Sequence, residues 1–178
     1  MSGYDADRAL VRSLVREVAD FPAPGVMFRD VAGVLADTGG FAAAVRCLAE
    51  VSAAFGPFDH VAGMEARGFM FAAPLAVHLG TGFLPVRKAG KLPPPVHHAS
   101  YELEYGTAAL EIRDGVVEPG ARVLVLDDIL ATGGTASAGV DLLQRAGAEV
   151  VGLVFLMELP ELDGRARLGD HRVESVLD

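Results

Sequence analysis

The residues with the clearest chemical potential are Asp127 and Asp128, followed by Ile129, Leu130, Ala131 and then Thr132-Gly133-Gly134-Thr135. The apolar run at 123–126 suits a strand buried on both faces of a parallel sheet, ending at the acid pair, and the pattern over 136–146 predicts a helix. A glycine turn that opens a helix presents free backbone N–H groups and a positive dipole end. It is an anion cradle, and the two threonine hydroxyls add donors suited to phosphate oxygens. The carboxylates narrow the choice of anion. They would repel a bare polyphosphate, but they can accept hydrogen bonds from a vicinal diol or lie near a bound Mg²⁺. The simplest ligand with both ends is a ribose 5-phosphate. A Walker A loop is excluded, because no Lys follows Gly134 and the glycine spacing differs. Taken alone, the turn also fits a plain strand-to-helix connection with solvated acids.

Three other segments carry chemistry. Glu65-Ala66-Arg67-Gly68 sits between a short strand at 60–64 and a helix at 69–79, in which Pro74 is expected near the first turn. An arginine beside a glycine at a helix start suits a phosphate or pyrophosphate group, since guanidinium binds two oxygens at once; the alternative is that Glu65 and Arg67 pair with each other. After a strand at 82–86 come Arg87, Lys88 and Lys91, and the two lysines are the only ones among 15 basic residues. Such a concentration supplies a local positive field that the chain as a whole lacks. Finally, two prolines and a glycine in 21–25 hold the segment Val26-Met27-Phe28-Arg29-Asp30. A held extended backbone can offer its N–H and C=O groups to a flat heterocycle with Phe28 stacked on it. Equally, Phe28 could be core and Arg29 could pair with Asp30.

The elements that must position these residues alternate between strand and helix, which predicts an α/β fold with a parallel sheet. A first amphipathic helix is expected over 7–18 with Arg8, Arg12 and Arg16 on a solvated face, a second helix over 41–54, a strand over 149–157, and a short helix with a polar end beyond it. Residues 92–106 read as a long loop of the lid or binding type, with hairpin character between 101–105 and 108–112. His97 and His98 read as exposed loop histidines, since no complementary metal-ligand spacing accompanies them. One domain is expected for 178 residues, and the net charge of -9 argues against a nucleic-acid or anionic-membrane surface. Cys47, the single cysteine, reads as a small buried residue on a helix. No apolar run approaches a signal core or a membrane span, so a cytoplasmic protein is expected.

Four segments, 21–30, 65–69, 86–93 with 99–106, and 125–135, together resemble the adenine phosphoribosyltransferases, a branch of the type I phosphoribosyltransferase family. The resemblance runs in order along almost the whole chain. The acidic pair with Thr-Gly-Gly-Thr marks the wider family, and the other three segments the adenine branch. It implies a parallel twisted sheet flanked by helices, a small N-terminal hood (about 1–35) for the base, and a mobile lid loop (about 88–107), all in one domain. It also implies a reaction of adenine with 5-phosphoribosyl 1-pyrophosphate (PRPP) giving AMP and pyrophosphate, in purine salvage, by a homodimer with Mg²⁺. By position, Asp127 and Asp128 would hold the ribose hydroxyls, and Ala131, Thr132, Gly133, Gly134 and Thr135 the 5-phosphate. Glu65, Ala66 and Arg67 would meet the pyrophosphate, helped by Arg87, Lys88 and Lys91, some of them contributed by a partner subunit. Met27, Phe28 and Arg29 would select adenine. Glu104 would handle the purine proton with Tyr105 beside it. Mg²⁺ would be held mainly by PRPP and water, near Asp127 and Asp128, with no direct protein ligand. Pro93-Pro94-Pro95 and His97-His98 depart from the family pattern, and the tail after Glu158 resembles it weakly. Two alternatives share the sugar-phosphate site: a transferase for another base, and a non-catalytic sensor of the metabolite.

Overall fold

The computed structural model describes residues 3–102 and 107–178. Helix α1 (Gly3–Leu14) ends four residues sooner than the apolar spacing predicts, and β1 (Arg16–Ala19) pairs antiparallel with β2 (Met27–Asp30), setting Val18 opposite Phe28. Val18 follows Leu14 at helical spacing, but the chain reverses at Asp20, whose φ is +58° and whose carboxylate accepts the Gly25 N–H at 2.7 Å. A hairpin therefore claims residues that periodicity assigns to the helix. Nor do the arginines of α1 form a free solvated face. Arg8 Nε donates to the Val176 carbonyl at 2.6 Å, and Arg8 and Arg12 reach the Asp178 carboxylate at 2.8 and 3.0 Å.

After a short α2 (Ala32–Ala36), Asp37 caps α3 (Thr38–Ser52) by accepting the Gly40 N–H. Then follow β3 (His60–Met64), α4 (Arg67–Leu79), β4 (Gly82–Lys88), β5 (Val96–Glu102), β6 (Thr107–Arg113), β7 (Arg122–Leu130), α5 (Gly134–Arg145), β8 (Glu149–Glu158) and β9 (Val173–Leu177). Because α4 starts at Arg67, Pro74 stands in its interior rather than in the first turn. The final strand β9 replaces the polar end expected there, and the segment between β8 and β9 forms two 3₁₀ turns, 160–162 and 164–168.

The main sheet has the order β5-β6-β4-β3-β7-β8-β9. Five strands from β4 to β9 run parallel, while β6 is antiparallel to both β4 and β5, so the sheet is mixed rather than wholly parallel. The reason is chain length: only four residues separate β5 from β6, too few for a helical crossover, so the two pair as an antiparallel hairpin whose β6 also lies against β4. His97 and His98 lie on β5 rather than in a loop. His97 Nε2 is 3.0 Å from Asp114 Oδ1 and His98 Nε2 is 3.0 Å from Ser100 Oγ.

Both faces of the sheet are covered. Val123 and Val125 of β7 face the side of α5, with Leu142, Leu143 and Phe155, while Leu124 and Leu126 face α3 and α4, with Leu48, Phe71 and Leu75. Period-2 alternation puts consecutive β7 residues on opposite faces, which is why an unbroken apolar run is required there. Cys47 is fully buried on α3, and burial pushes its thiol up to about 11. Among the described residues no helix is long and apolar enough to cross a membrane.

Candidate active site

Strand β3 is followed in sequence by β4 on one side and, later, by β7 on its other side, so the carboxyl ends of β3 and β7 flank a switch in connection direction. The acid pair stands there. Strand β7 does not end at the carboxylates, as the apolar run suggests, but continues to Leu130. Pairing with β3 stops at Gly63 opposite Leu126, whereas pairing with β8 goes on to Leu130 opposite Glu158. Asp127 and Asp128 therefore ride on a strand held from one side only, and its other edge opens into the crevice.

Asp128 is 2% exposed, and Asp127 is less completely covered. Asp127 Oδ1 accepts the Asp128 backbone N–H at 2.9 Å. Burial pushes both carboxyls above the usual carboxylate range; the Asp128 charge pushes Asp127 further up, and the Arg67 guanidinium opposes the rise at both. Arg67 Nε lies 2.9 Å from Asp128 Oδ2 but off the line a hydrogen bond needs, so among the described residues Oδ2 is a buried acceptor with no hydrogen-bond donor. A ribose hydroxyl or the water shell of a hard cation is the kind of partner it suits. Among the described residues no group of three or more acidic, His or Cys side chains could enclose a metal ion, so an ion near this pair would have to take most of its ligands from substrate and water.

The first turn of α4 approaches the pair so closely that a Cβ on Gly68 would lie 2.8 Å from Asp127 Oδ1 and 3.1 Å from the Leu126 carbonyl oxygen, which is why a glycine follows Arg67. Glu65 does not pair with Arg67. It accepts Arg87 Nε at 3.0 Å and the Lys88 backbone N–H at 2.7 Å, contacts that hold its carboxyl below the usual range. Arg67 is thereby left to the acid pair, with the Glu65–Ala66 peptide in the cis form just before it.

Two connected cavities share Arg67, Asp127, Asp128 and Thr135. One, of about 200 Å³, follows the loop through Ala131, Thr132, Gly133 and Gly134 against Phe155. The other, of about 670 Å³, extends to Glu65, Ala66, Lys88 and Tyr101. Most of the predicted site residues thus meet, and Tyr101 joins them unforeseen: the Thr135 hydroxyl donates to its phenol at 3.4 Å. The alternation through Tyr101 in the 99–106 segment was the signal for it. Arg87 lies outside both cavities, its guanidinium 5.9 Å from the centre of the Phe69 ring, and Lys91 is exposed without lining either. Glu104 and Tyr105 lie outside the described residues.

The N-terminal hairpin reaches the site through Phe28. Its ring meets Phe21 edge-on at 5.1 Å, and Arg67 Cζ stands 5.6 Å from its centre, a cation–π distance. Arg67 therefore touches both the acid pair and the aromatic ring. Met27 is exposed beside Phe28, and Arg29 pairs with Glu17 at 3.0 Å rather than with Asp30.

The glycine loop rests on the second 3₁₀ turn. A Cβ on Gly164 would overlap the Ala131 carbonyl oxygen and lie 2.9 Å from Leu130 Cδ1. Gly164→Ala must therefore displace the loop, and an unfolding titration is expected to read a loss of about 1–3 kcal/mol together with weaker phosphate-ligand binding. Unaltered stability and binding would show that the loop does not depend on this contact.

In chemical terms the crevice offers an anion cradle, a carboxylate pair with a free buried acceptor, a guanidinium between them and an aromatic face, and a cation at its far side. A model of the phosphoribosyl transferase domain matches residues 34–176. An adenine phosphoribosyltransferase of Kineococcus radiotolerans is 57% identical over 171 residues, covering 95% of this chain and 92% of that protein. The crystal structure of adenine phosphoribosyltransferase from Thermoanaerobacter pseudethanolicus superposes with a TM-score of 0.89 at 43% identity, covering 96% of this chain and 98% of that one. The Saccharomyces cerevisiae enzyme, solved with an imino-altritol bisphosphate and adenine, superposes with a TM-score of 0.92 at 35% identity over 97% of this chain and 99% of its own.

Proposed function

Since the chain belongs to the phosphoribosyltransferase family, we propose that this crevice transfers the 5-phosphoribosyl group of PRPP to adenine, giving AMP and pyrophosphate in purine salvage. The observation that carries the reading is the donor-free Asp128 Oδ2 beside a glycine loop that opens a helix, with Arg67 linking it to Phe28. Asp127 and Asp128 accept the ribose hydroxyls, and Ala131 to Thr135 hold the 5-phosphate through backbone N–H groups and hydroxyls. In the reaction the bond from the anomeric carbon to the pyrophosphate oxygen breaks with both electrons leaving on oxygen, and a ring nitrogen of adenine bonds to that carbon and gives up its proton. Positive charge develops on the sugar and negative charge on the leaving group. Arg67 stabilises the latter, with Glu65 and Ala66 shaping its turn and Lys88 across the crevice. Arg87 and Lys91 belong to the same reading as a charged margin, completed by a partner subunit in the homodimer that the resemblance implies.

Phe28 offers its face to adenine, and the neighbouring backbone of Met27 and Arg29 selects its edge. In this reading about 1–35 serve as the hood and about 88–107 as the lid, of which 1–2 and 103–106 lie outside the described residues, within one domain of a cytoplasmic enzyme. Glu104 takes or returns the purine proton with Tyr105 beside it, an assignment that rests on the resemblance of 99–106 alone. The donor-free acceptor and all-oxygen pair suit Mg²⁺ carried on PRPP, which when bound adds positive charge against the leaving pyrophosphate. No covalent nucleophile is needed.

The test is pyrophosphate release from PRPP and Mg²⁺ with each base in turn. Adenine is expected to support turnover far above hypoxanthine, guanine or uracil. Equal or greater release with hypoxanthine would overturn the assignment of the base.

A further inference from the structure

Residues 164–168 form a 3₁₀ turn directly against the glycine loop. The turn is pinned. Arg165 places its fork on both oxygens of Glu158 at 2.7 and 2.6 Å and donates to the Val173 carbonyl at 2.8 Å, and Glu158 is itself buried at the end of β8. Two residues on, Arg167 is in a different position. Among the described residues it has no ion-pair or hydrogen-bond partner, and its side chain leans over the start of α5. Its Cβ is 3.2 Å from the point at which a side chain on Gly133 would begin, and its Nη1 is 3.7 Å from the corresponding point on Gly134. Thr132 Oγ1 lies 4.0 Å from that second point, so a guanidinium nitrogen and a hydroxyl both stand close to the first residue of the helix, Arg167 from the adjoining cavity that it lines with Ser137 and Asp141.

We propose that Arg167 is a further binding residue for the 5-phosphate, adding a full positive charge to the N-terminal end of α5. This assignment rests on the phosphoribosyl reading of the crevice. The physical case has three parts. The helix end and loop N–H groups supply only partial charges, whereas a phosphate monoester carries close to two negative charges near neutral pH. The net charge of the chain is -9 and two carboxylates stand next to the cradle, so a compensating cation there lowers the cost of bringing in that ligand. The turn that carries Arg167 is held by the Glu158–Arg165 fork, so the backbone that carries the cation is already placed and the entropy lost on binding is that of its own side chain.

The experiment is calorimetric titration of the wild-type chain, Arg167→Gln and Arg167→Lys with ribose 5-phosphate, AMP and adenine at low and high salt. Arg167→Gln is expected to weaken ribose 5-phosphate and AMP about three- to tenfold at low salt, less at high salt, with the affinity for adenine altered by much less. Arg167→Lys recovers most of the loss, because the charge returns without the fork. Arg145→Gln removes an arginine at the opposite end of α5, where it pairs with Asp141, and serves as the control for net charge. Gly134→Ala gives a second line: its methyl meets nothing closer than 3.7 Å, so the fold tolerates it, but it stands within 4.0 Å of both Arg167 Nη1 and Thr132 Oγ1 and is expected to weaken the same two ligands. Ribose 5-phosphate affinity in Arg167→Gln equal to wild type at low salt, or an equal loss in Arg145→Gln, would overturn the proposal. The reaction fails separately: a wild-type chain that binds ribose 5-phosphate but releases no pyrophosphate with adenine refutes the transfer, and the Gln and Lys titrations still decide Arg167.

Discussion

Asp127→Asn is expected to weaken PRPP binding by about 10–100-fold, the worth of hydrogen bonds to a charged acceptor, while making the unliganded protein more stable. The two effects have one cause. Asp127 and Asp128 are held as neighbours in a largely buried place, and both carboxyls are pushed above their usual range, first by burial. A carboxyl raised in the folded state binds its proton more readily there than in the unfolded chain, so the folded form is favoured at acid pH and that advantage is lost as the pH rises through the raised folded value. Near neutral pH the pair is therefore a cost to the fold. Asparagine retains the acceptor for the Asp128 N–H, now at 2.9 Å from Asp127 Oδ1, and removes the charge. Calorimetric melting at several pH values should show the variant above wild type at neutral pH by about 2–4 °C for each kcal/mol relieved, with the gap closing toward pH 4. Isothermal titration with PRPP reads the binding loss, with adenine much less affected. A variant that melts lower at neutral pH, or binds PRPP as wild type does, would show that the pair carries neither the strain nor the diol.

Arg67→Ala is expected to lower turnover by about 10²–10³-fold, the range for removing a group that stabilises charge on a leaving oxygen. Its effect on stability should be smaller than for a fully buried pair, because the Arg67 side chain is 43% exposed and solvent screens it. The pH profile distinguishes this role from general damage. Arg67 is the charge that opposes the rise at Asp128, so without it the Asp128 carboxyl goes further up and the acid limb of activity moves to higher pH. The adenine KM should rise as well, because the Phe28 ring loses the guanidinium 5.6 Å from its centre. Arg67→Lys keeps the charge and should restore part of turnover and most of the pH profile. An acid limb that stays in place in Arg67→Ala would separate Arg67 from the acid pair.

Arg67 also joins the two halves of the site. It contacts Asp128 on β7 and Phe28 on the N-terminal hairpin, elements about a hundred residues apart in sequence. The pairing of Glu65 with Arg87 and Lys88 leaves it available for both.

Much of this arrangement is readable from local pattern. Strand β3, the helix after it, the apolar face of β7 and the anion turn at 132–135 all follow from period, glycine placement and the need to cover both faces of a parallel sheet. These are short-range properties, so the residue types alone determine them, and they were enough to collect Asp127, Asp128, Arg67 and the Thr132–Thr135 turn into a candidate site. Other features depend on contacts between distant segments. Helix α1 stops at Leu14 because a hairpin closes behind it, and β7 runs past the acid pair because β8 continues beside it after β3 has ended. Which base partners which acid followed the same rule: Arg67 and Glu65, two residues apart and of opposite charge, take Asp128 and Arg87 instead of each other. The acid-and-glycine stretch thus offered a sugar-phosphate reading by itself, with a plain strand-to-helix connection as its alternative, because an acid pair and a glycine turn are adjacent in the sequence. The donor-free Asp128 oxygen, the Arg67 bridge to Phe28 and the Arg167 side chain over α5 arose only when the sheet brought remote segments within a few ångströms, since periodicity contains no information about partners beyond its own element.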